Sequence, residues 1–144
     1  MTDTEVETFL INHFETECAS LLTSKIVNSK TVYTHVSFQN KSFTRPSDGY
    51  WFELIFLPTT PYQQELGHDG GNRWNGILQV NICIPQNTCT AAANARYNKI
   101  YSAFPRGFIT NGIRILSVAH TSARAVDDYC SMSVSIAWQA DLAN

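Results

Sequence analysis

The chain has 144 residues, a formal net charge of −2 and a sequence pI near 6.0, which is enough length for one hydrophobic core. Apolar residues make up 44% and charged residues only 15%, so disorder by composition is excluded and the surface is built largely from neutral Ser, Thr and Asn. No Lys/Arg run is present to grip nucleic acid, and the longest uncharged apolar stretch, Leu54-Ile55-Phe56-Leu57, is far too short to span a bilayer as a helix.

The first predicted element is a helix over Asp3 to Ser24. Thr4 and Glu7 have capping-box spacing, and Asp3, Glu5 and Glu7 put negative charge at the positive end of the dipole. Val6, Phe9, Leu10, Phe14, Cys18, Leu21 and Leu22 recur at three- and four-residue steps and predict one buried stripe. Lys25 is expected at the favourable C-terminal end. The opening residues Met1 to Glu5 lack the basic-then-apolar order of a signal peptide. The expectation is a reducing cytoplasm, with Cys18, Cys83, Cys89 and Cys130 as free thiols.

Val32 to Phe38 reads as one strand, with Val32, Thr34, Val36 and Phe38 on a common face. A loop from Asn40 to Asp48 follows, broken by Pro46 and ending in the Asp48-Gly49 turn signal. Tyr50 to Leu57 is a strand apolar on both faces except at Glu53, which predicts a strand that is central or covered on both sides. Thr59 to Asn75 carries Pro61, Gly67, Gly70 and Gly71 with no apolar period, and reads as a projecting arm.

Ile77 to Ile84 predicts the returning strand of a long-tipped hairpin, ended by Pro85. A second helix is expected over Thr90 to Phe104, with Ala93, Tyr97, Ile100, Tyr101 and Phe104 buried. Ile113 to Val118 is the next strand, and Ala119 to Asp128 a polar turn. Tyr129 to Gln139 closes the pattern, with Met132, Val134, Ile136 and Trp138 on one face and Ser131, Ser133, Ser135 and Ala137 on the other. The serine face is either solvated or set against a neighbour. The fold class that follows is α+β: one domain over 1–144, a mostly antiparallel sheet, two helices on one face and a long projecting hairpin loop.

Catalytic and metal-ligating patterns are weak. His68-Asp69 lacks the further ligands a metal site needs nearby, and Gly67, Gly70 and Gly71 are not followed by the Lys-Ser/Thr of a phosphate loop. His120, Asp127, Asp128 and Cys130 are close in sequence, so a cysteine hydrolase built on Cys130 and His120 is the competing enzyme reading. No family-type signature surrounds Cys130, however, and it falls within a strand. Neither a catalytic residue nor a cofactor or metal is expected. Tyr62, Leu66, His68, Arg73 and Trp74 are the candidate interface with a neighbouring subunit or partner, because aromatic and Arg side chains anchor interfaces. Trp51, also beside a loop, is a further exception to the core assignment of the aromatics.

The succession Phe38-Gln39-Asn40-Lys41-Ser42-Phe43-Thr44-Arg45-Pro46, then Tyr50-Trp51-Phe52-Glu53-Leu54, then Arg73-Trp74-Asn75-Gly76-Ile77-Leu78-Gln79-Val80-Asn81-Ile82, resembles the tail terminator (tail completion) proteins of long-tailed bacteriophages. The resemblance runs from about Phe14 to Trp138. It implies a structural virion protein, made in the host cytoplasm, that forms a hexameric ring on the tail tube and ends its polymerisation. The implied partners are further copies of the chain, the tail tube protein and the head-side connector or stopper. DNA would pass through the lumen without specific binding, and no membrane is involved. The alternatives are a head-closure protein or tail tube subunit, or a soluble adaptor for one host partner.

Overall fold

The computed structural model describes residues 3–39, 41, 43–59, 62–63, 72–86, 90–110, 112–126 and 128–142. Helix α1 (Asp3–Glu17) buries Val6, Leu10 and Phe14, the stripe expected from the spacing. The helix does not run on to Ser24. It is interrupted at Cys18, resumes for one turn as α2 (Ala19–Leu22), and ends at Thr23, whose φ of 45° lies in the left-handed region. Cys18 and Leu22 still continue the buried stripe across the interruption.

Lys25 therefore lies in a strand and not at a helix end. Strands β1 (Ser24–Val27) and β2 (Lys30–Tyr33) form a separate two-stranded hairpin. Asn28 and Ser29 form its turn with φ of 51° and 62°, the doubly left-handed geometry that matches strand twist. The single strand expected over Val32 to Phe38 is thus two. At the break, the Thr34 and His35 amides donate to the Thr23 and Leu22 carbonyls at 2.9 and 3.1 Å. These bonds redirect the chain into β3 (Val36–Phe38). Val32, on the hairpin, is exposed, whereas Val36 is core.

The main sheet continues with β4 (Trp51–Pro58), β5 (Tyr62–Gln63) and β6 (Asn72–Pro85). Then come α3 (Thr90–Ala103), β7 (Ile109–Thr110), β8 (Ile113–His120), β9 (Arg124–Val126) and β10 (Tyr129–Leu142). The path order is β3-β4-β6-β10-β8-β7, with β5 added beside β6 and β9 beside β10. Only β3 and β4 pair in parallel among these neighbours. The architecture is α+β with a mostly antiparallel sheet, and β4 is interior, as its two-sided apolarity predicts.

Two expected loops are partly strand. β6 begins at Asn72 because its first residues pair with β10 on one side, Leu142 to Asn72, and with β5 on the other, Tyr62 to Arg73. The polar turn expected over Ala119 to Asp128 is shortened by the end of β8 at His120 and by β9.

Alternation puts Leu78, Val80, Ile82 and Ile84 of β6 on the helix side, opposite Ile136, Val134, Met132 and Cys130 of β10. Ile77 lies on the other face by parity and is 37% exposed. The core is one cluster of these residues with Phe52, Leu54, Trp138 and the helical stripes. Helix α3 buries Ala93, Ile100 and Ala103, with Phe104 just beyond it. Tyr97 packs at the core margin, while Tyr101 is 54% exposed and not part of the core. His13 joins the two long helices: its Nε2 donates to the Ala103 carbonyl at 2.6 Å, and its ring lies 4.9 Å from Phe104.

Candidate assembly surfaces

The helix-free face of the sheet is built in rows fixed by strand register. Leu57, Ile77, Ala137 and Ser117 form one row, and Ile55, Gln79, Ser135 and Ala119 the next. Glu53, Asn81 and Ser133 form a third row. Trp51, Cys83, Ser131 and Arg124 form the fourth. This is the serine face anticipated from β10, and its side chains are largely neutral.

Hydrogen bonds connect the rows. Gln79 Nε2 donates to Asn81 Oδ1 at 2.9 Å, and Asn81 Nδ2 and Cys83 Sγ approach Glu53 Oε1 at 3.4 and 3.5 Å. Burial pushes the Cys83 thiol well above its ordinary range, and the nearby Glu53 adds to the rise. Cys83 is therefore a protonated hydrogen-bond donor at neutral pH and not a nucleophile.

The segment before β4 folds over one end of this face. The Arg45 guanidinium sits 4.8 Å from the Trp51 ring and 4.9 Å from the Tyr129 ring, and Nη1 donates to Asp128 Oδ1 at 2.8 Å. Trp51 and Tyr129 are themselves 4.8 Å apart. Cation–π attraction and the ion pair thus act on the same side chain. Trp51 is buried beneath this cap and is not a free anchor. The cap is positioned by the Asp48-Gly49 turn. Gly49 has φ of 78° and its amide donates to the Pro46 carbonyl. Asp48 accepts from the Tyr50 amide and pairs with His35 at 3.0 Å. The Tyr50 bond and then His35 hold the Asp48 carboxyl below its usual range, and Arg45 does the same for Asp128. Gln39 completes the segment by accepting the Phe56 amide at 2.9 Å, so a side chain extends the pairing begun by β3.

Gly76 serves a different need. A Cβ there would stand 2.5 Å from Trp138 Cζ2 and 2.8 Å from the Leu57 carbonyl oxygen. Only glycine lets the buried Trp138 ring lie over the strand, stacked on Phe56 at 5.4 Å between centroids.

A second surface adjoins α1. A groove of about 470 Å³ runs between α1 and the β1–β2 hairpin, with Ile11, Phe38 and Phe56 among its apolar lining and Glu7, Glu15 and Lys41 among its charged residues. Burial raises the Glu15 carboxyl above its usual range, partly offset by Lys41.

Of the interface residues expected from sequence, Tyr62 and Arg73 are brought together by β5–β6 pairing. The Gln139 amide, with its oxygen turned to Arg73, accepts from Nη1 and Nε at 3.0 and 2.5 Å. Trp74 packs against the core. Leu66 and His68 lie outside the described residues, as do Asp69, Cys89 and Asp127. The Cys130–His120 pairing is not assembled. His120 faces Val134 in register and Cys130 faces Ala125, a separation of roughly 13 Å along β10 at 3.3 Å per residue. His120 instead lies 4.2 Å from the Tyr97 ring. Asp128 belongs to Arg45. The sequence reading missed the hairpin, the groove and the Arg45 cap. The Asn28-Ser29 pair and the aromatic spacing around Arg45 were the available signals.

These features define a small α+β domain whose developed surfaces are a neutral sheet face, a hairpin and an apolar groove. The family model described as phage tail terminator protein matches residues 20–138, and the chain belongs to that family. It is a structural protein of the phage tail, where it associates with other tail components. Five solved chains match it. One of them is 17% identical, with a TM-score of 0.65 over 93% of this chain and 94% of its own. At that identity the likeness shows the shared fold. No curated protein matches significantly.

Proposed function

We propose that this protein, as a single domain over 1–144, closes into a hexameric ring on the head-proximal end of the tail tube, ends tube polymerisation and presents the joining surface to the head. Membership of the tail terminator family carries the reading. The physical character of the surface supports it. A ring needs two different, complementary sides on each subunit, a heterologous contact that closes. Neutral polar groups can be set against a neighbour at a smaller desolvation cost than charges.

The partners on this reading are further copies of the chain, the tail tube protein and the head-side connector or stopper. The subunit carries a net charge of −2, so a ring of such subunits has little electrostatic attraction for DNA, which passes through the lumen without specific binding. Tyr62, Leu66, His68, Arg73 and Trp74 remain the proposed partner interface. Arg73 is held in place from β10, and Trp74 anchors the arm to the core. The protein acts without catalysis and is made in the host cytoplasm before assembly.

The test is a map of the intact particle together with a deletion phage. The expected results are a closed sixfold ring of this protein at the head-proximal tube end, and headless or overlong tails without it. A map placing it elsewhere, or in the tube wall, would refute the assignment.

A further inference from the structure

The β1–β2 hairpin carries exposed apolar side chains on both faces, although Tyr33 at its base packs against the core. Register places Ile26 opposite Thr31 on one face, and Val27 opposite Lys30 on the other, with Val32 on that second face. Ile26 is 79% exposed, Val27 42% and Val32 40%. Apolarity on both faces belongs to a strand enclosed on both sides, and an isolated two-stranded hairpin is marginal in water. The hairpin segment, Ser24 to Tyr33, contains lysines and no acid. The groove beside α1 is acidic along its helix wall. Its floor is apolar, Glu7 and Glu15 line it from α1 with Lys41 opposing them from the far side, and α1 carries five acidic residues with no Lys or Arg.

We infer that the β1–β2 hairpin of one subunit seats in the α1 groove of a second copy of this chain, with Ile26 on one face and Val27 on the other packing against opposite walls of the groove and Lys30 meeting Glu7. The donor residues Ile26, Val27 and Lys30 are not part of the groove lining, which takes only Thr31 to Tyr33 from the hairpin, so donor and acceptor differ and the contact runs head to tail and propagates. Its closure into a ring rests on the function proposed above, while the pairwise contact stands on the complementarity of hairpin and groove. Charge complementarity fixes register and excludes wrong partners, and the exposed aliphatic pair supplies the apolar burial.

The experiment is sedimentation of the purified protein and of Lys30→Glu, Glu7→Lys and Ile26→Ser, with folding checked by circular dichroism. All three positions are at least partly solvent-exposed, so the variants should fold. Wild type is expected to self-associate with rising concentration. Each charge reversal should weaken association by about tenfold or more. An equimolar mixture of Lys30→Glu and Glu7→Lys should recover it, because each hairpin then finds an opposite-charged groove. Ile26→Ser should abolish it without lowering the melting temperature. Three outcomes would overturn the inference: single reversals that associate like wild type, a mixture that fails to recover, or wild type monomeric up to roughly 1 mM. A sixfold ring in the particle map alongside any of these would leave the ring reading intact and refute only this contact. A recovered mixture with no ring in the map would do the reverse.

Discussion

Replacing Gly76 with alanine adds one methyl group where no space exists. The new Cβ would meet Trp138 Cζ2 at 2.5 Å, Trp138 Cε2 at 2.8 Å and the Leu57 carbonyl oxygen at 2.8 Å. Ordinary carbon contacts are about 3.5–4.0 Å, so something must move by roughly 1 Å. Trp138 is fully buried and stacked on Phe56 at an interplanar angle of 6°, and the Leu57 carbonyl belongs to the β4–β6 ladder, where Leu57 faces Ile77. Neither can yield without disturbing the core or the sheet. Overpacking of this kind costs about 1–3 kcal/mol and occasionally more. Because ring and backbone both resist, the upper end, about 3 kcal/mol, is expected. For a domain of this size that corresponds to a fall in melting temperature of roughly 10 °C. Calorimetry and urea titration would measure it. The double variant Gly76→Ala/Trp138→Phe should be less destabilised than the sum of its parts, since the smaller ring removes one of the two clashes. A Gly76→Ala protein that melts with wild type, or strictly additive effects, would refute the account of why glycine stands there.

Acid should loosen the segment that caps the sheet. Asp48 and Asp128 have folded-state pKa values below their unfolded ones, so their contribution is present above about pH 4 and is lost as pH falls through the folded values. Glu15 is shifted upward, so its ionisation opposes folding and its protonation in mild acid partly offsets that loss. Urea midpoints should therefore hold or rise slightly in mild acid and drop below about pH 4; a midpoint that keeps rising through that range would contradict this. Thiol titration provides a third check. Burial pushes Cys18 up to about 11 and Cys83 higher still, so both should react with a disulfide reagent only on unfolding; rapid native modification at either position would show that the site is open.

Much of the fold was legible because burial follows spacing. Val6, Leu10, Phe14, Cys18 and Leu22 announce the first helix and its buried side, even across the interruption at Cys18. Tyr129 to Gln139 alternates as a strand should, and Tyr50 to Leu57 is marked as a strand by its two-sided apolarity. What failed depended on partners. Nothing local in Val32 to Phe38 marks the redirection at Thr34 and His35, whose amides donate to the Thr23 and Leu22 carbonyls at the end of α2. Asn72 to Asn75 reads as loop because its two asparagines and the adjoining Gly76 conceal a strand that exists by pairing with β10 and β5. Tyr101 sits on the helical period but at its outer margin, and the smaller Ala103 takes the buried place. For the surfaces, the serine alternation of β10 was visible. The α1 groove and the pairing of Arg45 with Asp128 join residues distant in sequence and could not be read from spacing alone, whereas the hairpin is local and turns on the Asn28-Ser29 pair.

The position of β10 has a consequence for how the molecule comes into being. This strand lies between β6 and β8 and pairs with β6 along its whole described length, from Tyr129 opposite Pro85 to Leu142 opposite Asn72. It also follows every other described strand in the order of synthesis. Before it emerges from the ribosome, β6 has an open side, β8 has lost its long neighbour, and Trp138 is absent from the core beneath Phe56. Such non-local pairing must overcome loop-closure entropy before its contacts are gained, which makes folding slow and late. The sheet is therefore assembled after translation has passed Leu142, and a nascent subunit cannot display a finished face to an unfinished tail. A ribosome-arrested series should show protease resistance appearing only once β10 has cleared the exit tunnel.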